Sequence, residues 1–96
     1  MKQYPEFIQK LKTVDSRLYE NITRNFDLCM SPGVVDVKTK FLILLAVDAM
    51  TGNDGIRMIS ERARSMGISN SEIGEALRIA YMVATHKAIF TGMSAF

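Results

Sequence analysis

The sequence predicts an all-α domain of five or six helices that assembles with copies of itself. Apolar residues recur at spacings of three and four along nearly the whole chain, and no run alternates apolar and polar residues as a strand does. Hydrophobic residues make up 48% of only 96 residues, which is more apolar surface than one small domain hides easily. No linker or repeat divides the chain, so we expect a single domain over residues 1–96.

The first two helices are predicted from residues that suit helix starts. Pro5 is tolerated in a first turn, and the apolar stripe that follows it is Phe7, Ile8 and Leu11. Asp15 is a favourable N-cap for a second helix. The apolar positions of that helix are Leu18, Tyr19, Ile22, Phe26 and Cys29. Ser31-Pro32-Gly33 ends it, because both proline and glycine interrupt helices.

The third helix begins after Asp36, again an acidic N-cap, and contains the sequence FLILLAVDAM at residues 41–50. A helix that is apolar on all sides is central in its assembly. The sequence TGNDG at residues 51–55 is a strong helix break.

The fourth helix is predicted from Ile56 to Met66 and ends at Gly67, a typical C-cap residue. Residues 69–72, SNSE, form an S-x-x-E capping box that opens a fifth helix. This helix continues to Phe96, either unbroken or with a break that creates a sixth helix.

Charge and composition exclude several function classes. The net charge is +2 without a basic tract, so we expect no nucleic-acid partner. A single cysteine cannot form an intramolecular disulfide, a C-x-x-C motif or a structural zinc site. The longest apolar run, residues 41–47, is far shorter than the ~20 residues that span a bilayer. We expect a cytoplasmic protein with no signal peptide, no membrane association, no cofactor and no metal.

Three segments resemble one family. Residues 35–47, VDVKTKFLILLAV, look like the LDPKTRELIALAV helix of the carboxymuconolactone decarboxylase and alkylhydroperoxidase D-like (AhpD-like) superfamily. Residues 63–77, ARSMGISNSEIGEAL, are similar to its A-x-x-x-G-x-T-x-E-E-I-x-E-A-L segment, and residues 4–22 resemble the leader of its shorter members. The resemblance covers nearly the whole chain. It implies a helical fold and assembly as homo-trimers or hexamers.

The same resemblance locates the family's chemistry, and the chain departs from it. AhpD-like members carry a C-x-x-C pair whose thiol is reactive, with a glutamate and a histidine that relay protons. Phe41 occupies the glutamate position, Asn53 and Ile56 the two cysteine positions, and Ser60 the histidine position. The histidine that the decarboxylase branch keeps near this point is also replaced. We therefore expect a non-catalytic, small-ligand-binding or regulatory homo-oligomer, whose other partner is a small organic ligand or an active relative.

An enzyme is the alternative, and Asp48, His86 and Cys29 are its catalytic candidates. Asp48 is either a general acid or base, or an interface carboxylate paired with an arginine. His86, the single histidine, either pairs with Asp48 or is a partly exposed or hydrogen-bonded core histidine. Cys29 is either the thiol of a weak one-cysteine peroxidase or a small packing residue. Arg57, with Glu61, Arg62 and Arg64, either binds an anionic ligand or belongs to a solvated face. The ligand-binding candidates are Asp48, Arg57 and His86.

Overall fold

The computed structural model describes residues 4–52 and 55–96, and these residues form helices and no strand. The elements are α1 (Glu6–Val14), α2 (Ser16–Met30), α3 (Val37–Thr51), α4 (Ile56–Ser65), α5 (Asn70–Gly92) and a short 3-10 helix (Met93–Ala95). The all-α prediction is confirmed with five α-helices. The last predicted helix is a single α-helix to Gly92, and the short 3-10 helix follows it. None of the helices in these residues is long and apolar enough to cross a membrane.

Helix starts follow the predicted caps. The side chains of Asp15 and Asp36 each accept a hydrogen bond from the backbone N–H three residues on, at 3.0 and 2.7 Å. The capping box of α5 is complete: the Glu72 N–H donates to Ser69 Oγ at 3.1 Å, and the Ser69 N–H donates to Glu72 Oε1 at 3.0 Å. These bonds satisfy N–H groups that a helix leaves without partners.

The end of α4 is a Schellman motif centred on Gly67. The Ile68 N–H donates to the Ala63 carbonyl and the Gly67 N–H to the Arg64 carbonyl, both at 3.0 Å. Gly67 has φ +87°, a left-handed conformation that glycine adopts without steric cost. Ile68 is only 2% exposed, so the turn also buries an apolar side chain. The stop that the sequence predicts at Gly67 is confirmed.

The chain divides into two compact units, residues Met1–Gly33 and Val34–Phe96. The expectation of one domain over residues 1–96 stays a prediction. In the first unit α1 packs on α2, and the Tyr4 hydroxyl donates to the Asp27 carboxylate at 3.0 Å. The Tyr4 ring also contacts the Tyr19 and Phe26 rings edge-on, with ring centres 6.2 and 5.5 Å apart. This unit is therefore held by a small aromatic and polar cluster.

In the second unit α3 packs against both α4 and α5. The side of α3 that carries Phe41, Leu45 and Asp48 is buried. The other side is not, since Ile43 and Val47 are each about half exposed, at 54% and 50%. Within one chain, the helix with the most apolar sequence is therefore covered on one side only.

We expect Leu45→Ala to lower the free energy of unfolding by about 2–5 kcal/mol, because it removes a side chain that is 1% exposed and leaves a cavity. Chemical denaturation followed by far-UV circular dichroism measures this change. Leu28→Ala is the matched control, since Leu28 is 79% exposed and its truncation leaves no cavity. Equal effects of the two substitutions would contradict the burial assigned to Leu45.

Candidate functional site

The second unit contains a groove between α3 and α5, which we call the α3–α5 groove. Its volume is about 560 Å³, within the range of small-molecule pockets, and it is open to solvent along its length. Both helices contribute lining residues with the same helical spacing. From α3 these are Thr39, Leu42, Ile43, Ala46, Val47 and Met50; from α5 they are Glu72, Glu75, Ala76, Ile79, Ala80 and Val83.

The two helices that line the groove begin at the same end and run side by side. Lys38, in the first turn of α3, pairs with Glu72, in the first turn of α5, through a 2.6 Å contact between Nζ and Oε2. From this ion pair the lining advances in step to Met50 on α3 and Val83 on α5. The charged and hydroxyl side chains of the lining therefore lie at one end of the groove, and the remaining wall is apolar.

Two carboxylates at this end of the unit have altered acidity. The Lys38 ammonium, followed by the Ser69 backbone N–H, lowers the pKa of Glu72 from its ordinary 4.5 to about 2. Hydrogen bonds from Thr39 lower the pKa of Asp36, the N-cap of α3. Both groups are held as carboxylates by donors that also fix helix starts. Glu72 and Asp36 therefore stabilise the helix starts at this end of the unit, and neither carboxylate is a proton donor near neutral pH.

The structure does not bring Asp48 and His86 together. Asp48 is 8% exposed and lies on the buried side of α3, away from the groove. His86 is exposed and follows Val83 by one turn on α5. At a rise of about 1.5 Å per residue, α5 extends roughly 12 Å beyond the end of α3, and His86 lies on that extension. The acid–base dyad considered from the sequence therefore lacks the required contact.

The environment of Asp48 agrees with a structural role. Within residues 4–52 and 55–96, every buried side-chain nitrogen or oxygen has a hydrogen-bond partner. The Asp48 backbone carbonyl also accepts from the Thr51 hydroxyl and from the Gly52 N–H, which closes the last turn of α3. A buried carboxylate in such surroundings is stable without a catalytic task.

The family motif positions hold side chains with local roles. Phe41 is buried on α3, and Ile56 is half-buried in the first turn of α4. The Ser60 hydroxyl donates to the Arg57 carbonyl at 2.8 Å, so it is engaged with its own helix. Asn53, the fourth position, lies outside the described residues.

The remaining candidates, Cys29 and Arg57, belong to different compact units. Cys29 is exposed near the end of α2, which contradicts its interpretation as a buried packing residue. The Arg57 side chain is exposed on α4 in the second unit. Arg64, from the same charged cluster, donates from Nε to Asn70 Oδ1 at 3.0 Å and so links α4 to the start of α5. No group of three or more His, Cys, Asp or Glu residues in the described ranges could hold a metal ion.

Sequence reasoning missed the α3–α5 groove, although two signals for it are present. The first is that residues 41–50 are apolar on all sides, which requires a second covering surface. The second is the apolar spacing of Ala76, Ile79 and Val83, which matches that of Ile43, Ala46 and Met50. Glu72 was assigned to the capping box alone, whereas its second oxygen binds Lys38.

Comparison with known proteins gives one match. The family model described as "Carboxymuconolactone decarboxylase family" matches residues 17–96, from the first turn of α2 to the C-terminus. No curated protein and no solved structure matches the chain.

We expect Lys38→Gln to raise the Glu72 pKa from about 2 towards 4.5, because it removes the largest cause of the shift. A carboxylate with a lowered folded-state pKa contributes stability that is complete above the unfolded pKa and is lost as the pH falls through the folded pKa. As the pH is lowered from 4.5 to about 2, the free energy of unfolding of the wild type should therefore fall more steeply than that of Lys38→Gln. Carboxyl NMR titration and denaturation across this range measure both effects.

Lys10→Gln is the control for this titration. Lys10 is exposed on α1, and its replacement removes the same positive charge at a different place. A Glu72 pKa that stays low in Lys38→Gln would contradict the role assigned to the ion pair.

Proposed function

Because the chain belongs to the carboxymuconolactone decarboxylase family, we propose that it is a self-assembling member without the family's thiol chemistry, which binds a small ligand or regulates a partner. The observation that carries this proposal is the occupancy of the motif positions. Phe41 is buried and carries no ionisable group, Ile56 cannot supply a thiol, and the Ser60 hydroxyl donates a hydrogen bond to a backbone carbonyl. A serine or phenylalanine does not relay protons near pH 7.

Assembly is the second part of the proposal. Ile43, Val47, Ile79 and Val83 are 44–60% exposed and lie along one continuous groove. Contiguous apolar surface of this kind marks interaction sites. Its partner is a further copy of the chain, in a homo-trimer or hexamer, and an active relative in a mixed oligomer is the other candidate. The compartment that we propose is the cytoplasm.

One observation favours an enzyme as the second candidate function. Asp48 is a carboxylate on an otherwise apolar, buried helix side, and buried carboxylates serve as general acids or bases in decarboxylation and lactone chemistry. In that case His86 would have to act separately from Asp48 or come from another copy. The exposed Cys29 thiol supports the weaker version, a one-cysteine peroxidase.

We expect the purified protein to consume organic hydroperoxide with dithiothreitol as donor no faster than the protein-free blank, because the motif positions hold no thiol. Cys29→Ser is the control. A rate above the blank that Cys29→Ser abolishes would establish the peroxidase alternative and overturn the proposal.

We expect Asp48→Asn to preserve ligand binding and assembly, because in the proposed function the carboxylate has a structural task. The measurement is native mass spectrometry of the wild type and the variant, after purification without added ligand. Substrate turnover found for the wild type and lost in a folded Asp48→Asn protein would instead support the acid–base enzyme.

A further inference from the structure

The side of α5 that lines the groove, continued past Val83 to Lys87, carries opposite charges at its two ends. Glu75 lies at the end where the helix begins, and Lys87, next to His86, lies three turns later. Between them the groove-lining residues are small or apolar, namely Ala76, Ile79, Ala80 and Val83. We call this set of seven residues the α5 stripe.

The charges at the two ends of the α5 stripe differ in their pairing. Glu72, just before the stripe, is neutralised by Lys38 at 2.6 Å, and Glu75 is not part of that ion pair. Glu75 is therefore the carboxylate at this end that is available to a cation from outside. At the other end, α5 extends beyond α3, so Lys87 is exposed on the part of the helix that α3 does not reach.

We propose that the α5 stripe pairs, in antiparallel orientation, with the α5 stripe of a second copy of this chain, and that this pairing fills the α3–α5 groove. The inference rests on the self-assembly in the proposed function and names the surface responsible. Glu75 and Lys87 are equidistant along the chain from residue 81, and so are Ile79 and Val83. A two-fold axis that crosses the two helices level with residue 81 places Glu75 of each copy opposite Lys87 of the other. The same axis places Ile79 of each copy opposite Val83 of the other.

Three physical features make a second copy the occupant. An isologous contact requires a self-complementary surface, and a stripe with an acidic end, an apolar centre and a basic end is complementary to itself when reversed. Ala76 is a short, half-buried side chain, and Ala80 is buried, so no bulky side chain stands between Ile79 and Val83 to keep a second helix away. The exposed apolar residues of α3, above all Ile43 and Val47, then form the opposite wall and are covered by the same contact.

This pairing also restricts how many chains the assembly can contain. A two-fold contact joins chains in pairs, and it is compatible with a dimer or with a hexamer built from three dimers. A ring of three chains without two-fold contacts, which the proposed function also allows, would leave the α5 stripe unpaired, so a trimeric wild type would overturn the pairing and leave self-assembly standing.

We expect Lys87→Glu and Glu75→Lys each to raise the dimer dissociation constant at least about tenfold, because each places like charges opposite one another. Analytical ultracentrifugation of the full chain measures the constant. Mixing the two variants should restore wild-type association, since both contacts of the mixed dimer then join opposite charges. The chain that carries both Glu75→Lys and Lys87→Glu should associate with itself as strongly as the wild type, for the same reason. Glu61→Lys is the matched control, because it is an exposed charge reversal on a different helix, α4.

The outcomes separate this inference from the proposed function. A monomeric wild type would overturn both the pairing and self-assembly. An assembled wild type whose variants associate normally, or are not rescued by mixing, would overturn the pairing and leave self-assembly standing. A small molecule retained in native mass spectrometry and displaced by Ile79→Asp but not by Tyr81→Asp would identify a ligand as the groove's occupant, and would likewise overturn the pairing.

Discussion

The fold of the second unit depends on the two apolar faces of α3. One face carries Phe41 and Leu45 and is buried against α4 and α5. The other carries Ile43 and Val47 and forms a wall of the groove. A helix with a single apolar stripe can bury that stripe against its own chain. A helix that is apolar all round has apolar surface on two sides, and both sides need to be covered. This second requirement explains both the groove and the need for an occupant.

The polar interactions of the unit set the geometry of that groove. Asp36 fixes the first turn of α3, the Ser69–Glu72 capping box fixes the first turn of α5, and Lys38 joins the two starts. Exposed ion pairs contribute little stability. Their effect here is positional, because helices that start together and run side by side keep their apolar residues level along the groove.

Helix starts and stops could be predicted from the sequence because they depend on local bonds. Asp15, Asp36 and Gly67 each act on neighbours within three or four residues, and the structure agrees with the assignment at all three. The sequence indicates that α3 has a second apolar side but not which side stays uncovered, because that depends on how α4 and α5 pack against it. The same holds for Asp48 and His86, which a helix pattern allows to meet but whose positions on α3 and on the far end of α5 keep them apart.

The open side of α3 has a thermodynamic consequence. Hydrophobic surface that is covered only after chains meet contributes nothing to the folding of an isolated chain, and its contribution to the assembled protein follows mass action. The melting temperature of such a chain rises with its concentration, and dilution weakens the fold without any change in sequence or solvent. For the proposed self-assembly, the cellular abundance of the protein is itself one of the quantities that determine its stability.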